Sequence, residues 1–213
     1  MWENIALYQL IIGIAFLFSC YYYFFKKKKS ALIKDFLIFL GLASFTEIFL
    51  FYYLAITYNN NLVATNTYAT FCATFYLYIY YRYLDLNKYR NPFLIVSCIW
   101  FIVEIIALLM HLDPPRTIAR FYLMGLFIAT AAALYFFHLV LKKNELQLFK
   151  KPLFYFSTGI ILFLVTGFPH LAFYDYTNVP GINLILTHKF LQIGNIFLSL
   201  GYLSTVICLG RTN

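Results

Sequence analysis

This chain contains seven long apolar runs, and short polar or helix-breaking segments separate them. A bilayer core about 30 Å thick is crossed by roughly 20 consecutive apolar residues in a helix. Runs of that length lie near residues 5–25, 31–57, 63–84, 92–111, 118–141, 152–174 and 182–209. They are continuously apolar and lack the alternation of barrel strands. The pattern predicts an all-α polytopic membrane protein, a single seven-transmembrane-helix bundle over residues 1–213 with no soluble domain.

Composition excludes several other classes of protein. The chain is 63% hydrophobic and 11% charged, whereas a soluble domain carries about a quarter charged residues. Disorder, a disulfide scaffold and an ordinary water-soluble enzyme are therefore excluded. The cysteines are far apart and form no C-x-x-C pair, so no disulfide, metal site or redox chemistry is expected; they are Cys20, Cys72, Cys98 and Cys208.

Basic residues predict the orientation in the membrane. They follow the first, third, fifth and seventh runs, at Lys26 to Lys29, Arg82, Lys88, Arg90, Lys142, Lys143, Lys150, Lys151 and Arg211. Because cytoplasmic loops carry an excess of Lys and Arg, the N-terminus is predicted outside and the C-terminus inside. The first run has neither a basic region before it nor a small-residue cleavage site after it, so an anchor is expected rather than a signal peptide.

The net charge of +8 is explained by these inner segments. They set the topology and contact anionic lipid heads, so the lipid bilayer is the expected partner. No basic stripe or binding fold suggests direct contact with nucleic acid. The expected location is the bacterial inner membrane, which the chain crosses several times.

Two acids lie deep in the apolar runs, Glu47 in span two and Glu104 in span four. An ionisable side chain at membrane depth costs about 2.5–3.5 kcal/mol, so each one needs a physical reason. Both are expected to face the bundle interior, protonated or paired. Two alternatives stay open: a hydrogen-bonded Glu that holds two helices together, or a site for a ligand or proton.

A polar stripe in span seven predicts a cavity. His188, Gln192, Asn195 and Ser199 fall at steps of four, three and four, which places them on one helical face. With polar residues of spans two, three, four and six they would line an outward polar cavity; the predicted set is Glu47, Thr70, Thr74, Trp100, Glu104, His170, His188, Lys189, Gln192, Asn195 and Ser199. The alternative is hydrogen bonding between helices, about 0.6 kcal/mol per pair. Small residues at Gly125, Ala129 and Ala133 are expected to allow close helix packing.

No catalytic residue, metal site or cofactor is predicted. The run RYLDL and Lys189 bear some similarity to microbial rhodopsins, but they belong to opposite ends of their spans, so a retinal Schiff base is excluded. A zinc hydrolase needs three convergent ligands and an open position. One alternative is a zinc site at the outer rim, with ligands from His111, Asp113, His170, Asp175 and His188. No serine triad or phosphate loop is visible.

Spans three to seven carry a family resemblance. The segments NTYATFCATFYLYIYYRYL, KKPLFYFSTGIILFLVTGFPHLAF and LQIGNIFLSLGYLSTVICLG resemble small seven-helix inner-membrane proteins of Bacteroidetes. The resemblance implies a seven-helix membrane fold and transfers no catalytic residue. The length and the residue pattern of the chain are also similar to those of the membrane accessory proteins of RNA-targeting CRISPR type VI-B systems.

These observations favour a non-enzymatic sensor or accessory protein. Its outward cavity would bind a small ligand or partner segment, and its basic inner loops would contact a separate protein partner. The first alternative is a small transporter or channel subunit that uses Glu47 and Glu104, although no inverted repeat is visible. The second is a membrane accessory role in an antiphage CRISPR locus.

Overall fold

The chain is helical throughout the part that the structure describes. The computed structural model describes residues 6–27, 30–50, 62–83, 90–109, 114–141, 148–174 and 184–211. These residues form seven α-helices and no strand: α1 Leu7–Cys20, α2 Ala31–Phe45, α3 Leu62–Tyr83, α4 Arg90–Leu109, α5 Pro114–Leu141, α6 Pro152–Tyr174 and α7 Leu184–Arg211. Each predicted apolar run overlaps one of these helices, with ends that differ by up to a few residues in the described part of the chain. The all-helical part of the fold prediction is therefore confirmed over these residues.

Local sequence explains several helix ends. The Ser30 hydroxyl accepts a hydrogen bond from the Ile33 backbone N–H at 3.3 Å, which caps the start of α2. Pro152 opens α6, where its missing N–H costs nothing. α1 continues through a π-helical turn, Tyr21–Phe25, and the chain then leaves the helix through Lys27, whose φ is 52°.

The described helices form two compact units. The first unit contains α1, α2, α6 and α7, and the second contains α3, α4 and α5. Each unit is described by itself below. The prediction of a single domain over residues 1–213 stays a prediction.

In the first unit, α6 and α7 approach each other closely at two glycines. A Cβ built on Gly159 would lie 2.9 Å from the Gly201 Cα atom. Two backbones can approach this closely only where neither residue carries a side chain. Next to this contact, Thr205 Oγ1 donates to the Gly201 carbonyl of its own helix at 2.7 Å and lies 3.3 Å from the Pro152 carbonyl of α6. The glycine pair therefore sets the spacing between α6 and α7.

An aromatic cluster joins α2 to this helix pair. The Phe36 and Phe156 rings meet edge to face, with centroids 5.4 Å apart, and Phe39 meets Tyr202 in the same way at 5.4 Å. All four side chains are buried. Such edge-to-face pairs match the positive edge of one ring to the negative face of the other. The cluster is the core of the first unit.

The second unit packs α3 and α5 at helical spacing. Buried residues recur three or four positions apart on both helices: Ala73, Tyr76, Leu77 and Tyr80 on α3, and Ile128, Ala131, Ala132, Tyr135 and Leu139 on α5. This spacing places each set on one helical face. Of the small residues expected to pack closely in α5, Gly125 is buried, Ala129 is half-buried and Ala133 is exposed.

Two described helices are long and apolar enough to cross a membrane. They are Leu7–Phe25 and Lys189–Arg211; three shorter apolar stretches are Phe93–Val103, Met124–Leu139 and Pro152–Gly167. α4 exposes large apolar side chains on several sides, among them Leu94, Ile95 and Val96. The described residues thus form a helical protein with two helices of membrane-spanning length and hydropathy.

Candidate functional site

The residues predicted to line a cavity are distributed over both units. The second unit contains Thr70, Thr74, Trp100 and Glu104, and the first contains Glu47, His170, His188, Lys189, Gln192, Asn195 and Ser199. The side chains of Glu104, His170 and His188 lie outside the described residues, so their predicted roles stay predictions. The sites are therefore described within each unit.

A cavity of about 380 Å³ lies between α3 and α4 in the second unit. Thr74 and Trp100, two of the predicted residues, both line it, together with Ser97. Thr70, one turn before Thr74, is buried and does not line it. Leu77, Leu94 and Phe101 complete much of the wall, and the accessible surface of the cavity is almost entirely apolar.

The Thr and Ser hydroxyl groups at this cavity are already hydrogen-bonded within their own helices. Thr74 Oγ1 donates to the Thr70 carbonyl at 2.8 Å, and Ser97 Oγ donates to the Phe93 carbonyl at 2.8 Å. Such bonds to the preceding turn are common for Ser and Thr in helices. Because each hydroxyl proton is used in this way, carbon atoms dominate the cavity wall. The cavity between these two helices is therefore apolar, and the polar cavity that the sequence predicts among helices of both units stays a prediction.

Trp100 contributes one unsatisfied donor to this part of the protein. Its Nε1 atom is buried and has no hydrogen-bond partner among the described residues. A buried donor left without an acceptor costs about 1–3 kcal/mol. An acceptor supplied from outside the protein would recover that free energy.

Near the C-terminal end of α3, two tyrosine side chains contact a basic residue. The Arg82 guanidinium donates to the Tyr78 hydroxyl and lies 5.6 Å from the centroid of the Tyr78 ring and 5.4 Å from that of Tyr83. Stacking of a guanidinium on aromatic faces stabilises it where it is partly removed from water. Tyr78 also lines the cavity, so this cation lies one helical turn from the cavity wall.

Glu47 is contacted by α1 in the first unit. Tyr8 Oη donates to Glu47 Oε2 at 3.1 Å, and Gln9 Nε2 donates to the Glu47 backbone carbonyl at 2.9 Å. Glu47 belongs to a π-helical turn, Thr46–Leu50, that continues α2. Such turns are frequent at functional sites. Tyr8 and Gln9 were not predicted as site residues, because the spacing along one helix does not indicate which other helix it contacts.

The polar stripe of α7 becomes more buried toward the C-terminus. Lys189 and Gln192 are exposed, Asn195 is half-buried and Ser199 is buried. Ser199 Oγ donates to the Asn195 carbonyl at 2.7 Å. Part of the predicted stripe is therefore hydrogen-bonded within α7 itself, and its predicted role in lining a cavity stays a prediction.

No group of three metal-ligating side chains occurs in the described part of the chain. The alternative zinc site at the rim falls largely elsewhere: His111, Asp113 and Asp175 lie outside the described residues, as do the side chains of His170 and His188. All four cysteines are described, and none forms a disulfide.

Fold and sites together define the class: a helical protein with two helices able to cross a membrane and an apolar cavity between α3 and α4. Compared with known proteins, the chain matches no family model, no curated protein and no solved structure. The resemblances to Bacteroidetes membrane proteins and to CRISPR accessory proteins therefore stay expectations, and the function must be inferred from geometry and chemistry.

Proposed function

We propose that this chain is a multi-pass protein of the bacterial inner membrane, with seven crossings, its N-terminus outside and its C-terminus inside. The apolar side chains exposed on α1 and α4 support this placement, because a large exposed apolar surface marks contact with lipid or protein. The basic residues at Lys26, Lys150 and Arg211 support the orientation, since they all follow odd-numbered runs or precede even-numbered ones.

In this placement, the cavity between α3 and α4 binds a small lipid-soluble ligand. Thr74 and Trp100 lie near the middle of their helices, which corresponds to a depth of about 15 Å in a bilayer core. A ligand at that depth must itself be largely apolar. The cavity volume of about 380 Å³ lies within the range of about 300–1,000 Å³ that holds small ligands.

The observation that carries this proposal is the unsatisfied Nε1–H of Trp100. It is the one polar group on this cavity wall that is buried without a partner among the described residues. A ligand with a carbonyl, ether or hydroxyl oxygen would accept this hydrogen bond. The expected ligand is therefore apolar with at least one acceptor oxygen.

Binding would be coupled to helix packing. Nε1 is covered in the empty cavity, so the indole must turn for an acceptor to reach it. That movement changes the contact between α3 and α4, and a ligand that prefers the turned state shifts the population toward it. A separate protein partner at the basic inner segments would respond to the shift. The protein acts as a sensor or accessory module and catalyses no reaction.

Trp100 also supplies the means to test the site, because the chain has only 2 Trp residues. In a Trp2→Phe variant, indole fluorescence reports on Trp100 alone. A brominated long-chain fatty amide serves as the probe, since bromine quenches indole at contact distance and the amide oxygen is an acceptor. The variant, in nanodiscs of zwitterionic lipid, should show quenching that saturates with probe.

Two matched substitutions make this test specific. Thr74→Leu fills the cavity, whereas Thr130→Leu replaces a Thr that makes the same bond to its preceding turn at 2.8 Å but does not line the cavity. Saturable quenching should disappear with Thr74→Leu and persist with Thr130→Leu. Quenching that rises in proportion to probe without saturating, or that survives Thr74→Leu, would contradict the proposed site.

A second candidate function is transport, favoured by the contacts of Glu47. Its carboxylate accepts from a tyrosine hydroxyl and its carbonyl from a glutamine amide, within a π-helical turn. A carboxyl at membrane depth held by neutral donors is a typical place for a proton or cation in transporters. Glu104 would be the second such group.

Flux measurements separate the two functions. Purified protein in liposomes should support no substrate-dependent proton or cation flux if it is a sensor. A flux that is present in the native protein and abolished by Glu47→Gln or Glu104→Gln would establish transport and count against a pure sensor. Gln keeps the shape of the side chain and removes its charge, so the loss would be electrostatic.

A further inference from the structure

A second cavity, of about 590 Å³, lies in the first unit where α6 begins and α7 ends. Its lining includes two basic residues, Lys150 and Arg211, and one serine, Ser204. No carboxylate is among the lining residues that the structure describes. The two cations therefore line one concave space, with no opposite charge among its described lining residues.

The backbone around this cavity is held in place by side chains. The turn Leu148–Lys150 is a short 3₁₀ helix, and the Phe149 carbonyl accepts from Tyr155 Oη at 3.0 Å and from Cys208 Sγ at 3.8 Å. The first donor belongs to α6 and the second to α7. Lys150 thus extends from a segment that is fastened to both helices, so its position relative to Arg211 is restricted.

We propose that this cavity binds the phosphate of an anionic phospholipid headgroup, with Lys150, Arg211 and Ser204 as its donors. A guanidinium offers two parallel N–H groups that match two phosphate oxygens, and the ammonium adds a second positive charge. The Ser204 hydroxyl makes no hydrogen bond within the described part of the chain, unlike Ser97 and Ser199, so it remains available as a third donor.

The surroundings favour a lipid over a soluble phosphate. Phe149, on the cavity wall, is 72% exposed, and Leu148 beside it is also exposed. Apolar side chains next to basic ones are typical of a protein surface that enters the headgroup region. The cavity is also larger than a phosphate ion, and its wall includes Ile207, so a glycerol backbone and the start of an acyl chain have apolar contacts. Basic pockets between helices on the cytoplasmic side bind such headgroups in other membrane proteins.

This inference depends on the proposed function only for the membrane placement of the end of α7. It does not depend on the ligand cavity between α3 and α4. If headgroup binding fails while Trp100 quenching still saturates, only the phosphate site is refuted. If quenching fails while headgroup binding persists, only the proposed sensor site is refuted.

The test compares the affinities of full-length protein in zwitterionic detergent for three probes: dioctanoyl phosphatidylglycerol, dioctanoyl phosphatidylcholine and inorganic phosphate. Native mass spectrometry gives the fraction of protein with bound lipid, and thermal denaturation gives the stabilisation by each probe. Phosphatidylglycerol should bind one per chain and raise the Tm. Phosphatidylcholine should bind more weakly, and inorganic phosphate should have little effect at the same concentration.

Three variants distinguish lipid binding in this cavity from attraction of the lipid by the net charge of the protein. Lys150→Gln with Arg211→Gln should raise the apparent Kd for phosphatidylglycerol by about a hundredfold, since each hydrogen bond from a charged group to the phosphate contributes about a factor of ten. Lys26→Gln with Lys27→Gln removes the same charge from exposed residues that do not line the cavity, and should have a small effect. Ser204→Leu narrows the cavity without a charge change and should also weaken binding.

Three results would overturn the proposal. Equal losses from the two double variants would show attraction by net charge alone. Unchanged affinity in both Ser204→Leu and the Lys150/Arg211 variant would show that lipid binds elsewhere. A full Tm shift with inorganic phosphate alone would identify a soluble anion as the ligand. Because Lys150 and Arg211 are exposed, their substitution should leave the fold intact. Unchanged binding of phosphatidylcholine by the double variant checks that the fold is intact.

Discussion

Hydroxyl side chains in these helices are mostly satisfied one turn back along their own backbone. Thr74, Ser97 and Ser199 donate to such carbonyls at 2.8, 2.8 and 2.7 Å. A hydroxyl that has given its proton to its own helix presents mainly carbon to its neighbours. The surface lined by a row of Ser and Thr in an apolar sequence is therefore less polar than the residue types alone suggest.

Ser44 is a buried exception, and it provides a test. It is 8% exposed, and its Oγ atom has no hydrogen-bond partner among the described residues. Replacing it with alanine removes an unsatisfied polar group, so Ser44→Ala should raise the free energy of unfolding by about 1 kcal/mol. Unfolding in mixed micelles with increasing denaturing detergent measures this change.

Ser19→Ala is the matched control for that substitution. Ser19 is also a buried serine of the first unit, but its hydroxyl donates to the Ala15 carbonyl at 3.0 Å. Its loss should leave stability unchanged or lower it by up to about 1 kcal/mol. A stabilisation by Ser19→Ala equal to that by Ser44→Ala would show that the unsatisfied hydroxyl is not the cause.

Spacing in one sequence selects some site residues and misses others for a physical reason. It selected Thr74 and Trp100, and both line the cavity between α3 and α4. It did not select Tyr8 or Gln9, which donate to Glu47 from another helix. Helical periodicity indicates which residues share a face, but the partner of that face depends on how helices pack.

At the scale of elements, two glycines determine how α6 and α7 pack. Gly159→Ala would place a methyl group 2.9 Å from the backbone of Gly201, which cannot move aside as a side chain can. The helices must separate, so the substitution should lower the free energy of unfolding by about 1–3 kcal/mol, against a smaller gain in helix propensity. Thermal denaturation in detergent micelles provides the measurement.

Gly167→Ala, also in α6, is the control for the change in helix propensity. The added methyl group there would have its nearest neighbour at 3.8 Å, on the Phe163 ring, an ordinary contact distance. Its stability should be unchanged or slightly raised. Similar destabilisation by both substitutions would show that the close backbone approach is not what limits stability.

Apolar runs predicted the helices well but not their details. Each of the seven predicted segments overlaps one described helix, because a continuous apolar run without strand-like alternation favours a helix. The π-helical turns at Tyr21–Phe25 and Thr46–Leu50 left no signal in hydropathy. Close helix contact occurs at Gly159 and Gly201 rather than at Ala133, which is exposed, since small residues permit close contact without specifying where it occurs.

The proposed topology has an odd number of membrane crossings. In the proposed topology, the ends that carry basic residues after odd-numbered runs are cytoplasmic, and the basic cavity with Lys150 and Arg211 belongs to one such end. An odd count places the two termini in different compartments.

Cysteine accessibility tests that claim most directly. With the four native cysteines replaced by alanine, single cysteines are introduced by Asn4→Cys, Asn59→Cys, Lys27→Cys and Arg211→Cys. A membrane-impermeant maleimide is then applied to intact spheroplasts and to inverted vesicles. We predict that the cysteines at positions 4 and 59 react only in spheroplasts, and those at 27 and 211 only in inverted vesicles. Labelling of positions 4 and 211 from the same side would contradict the seven-crossing account.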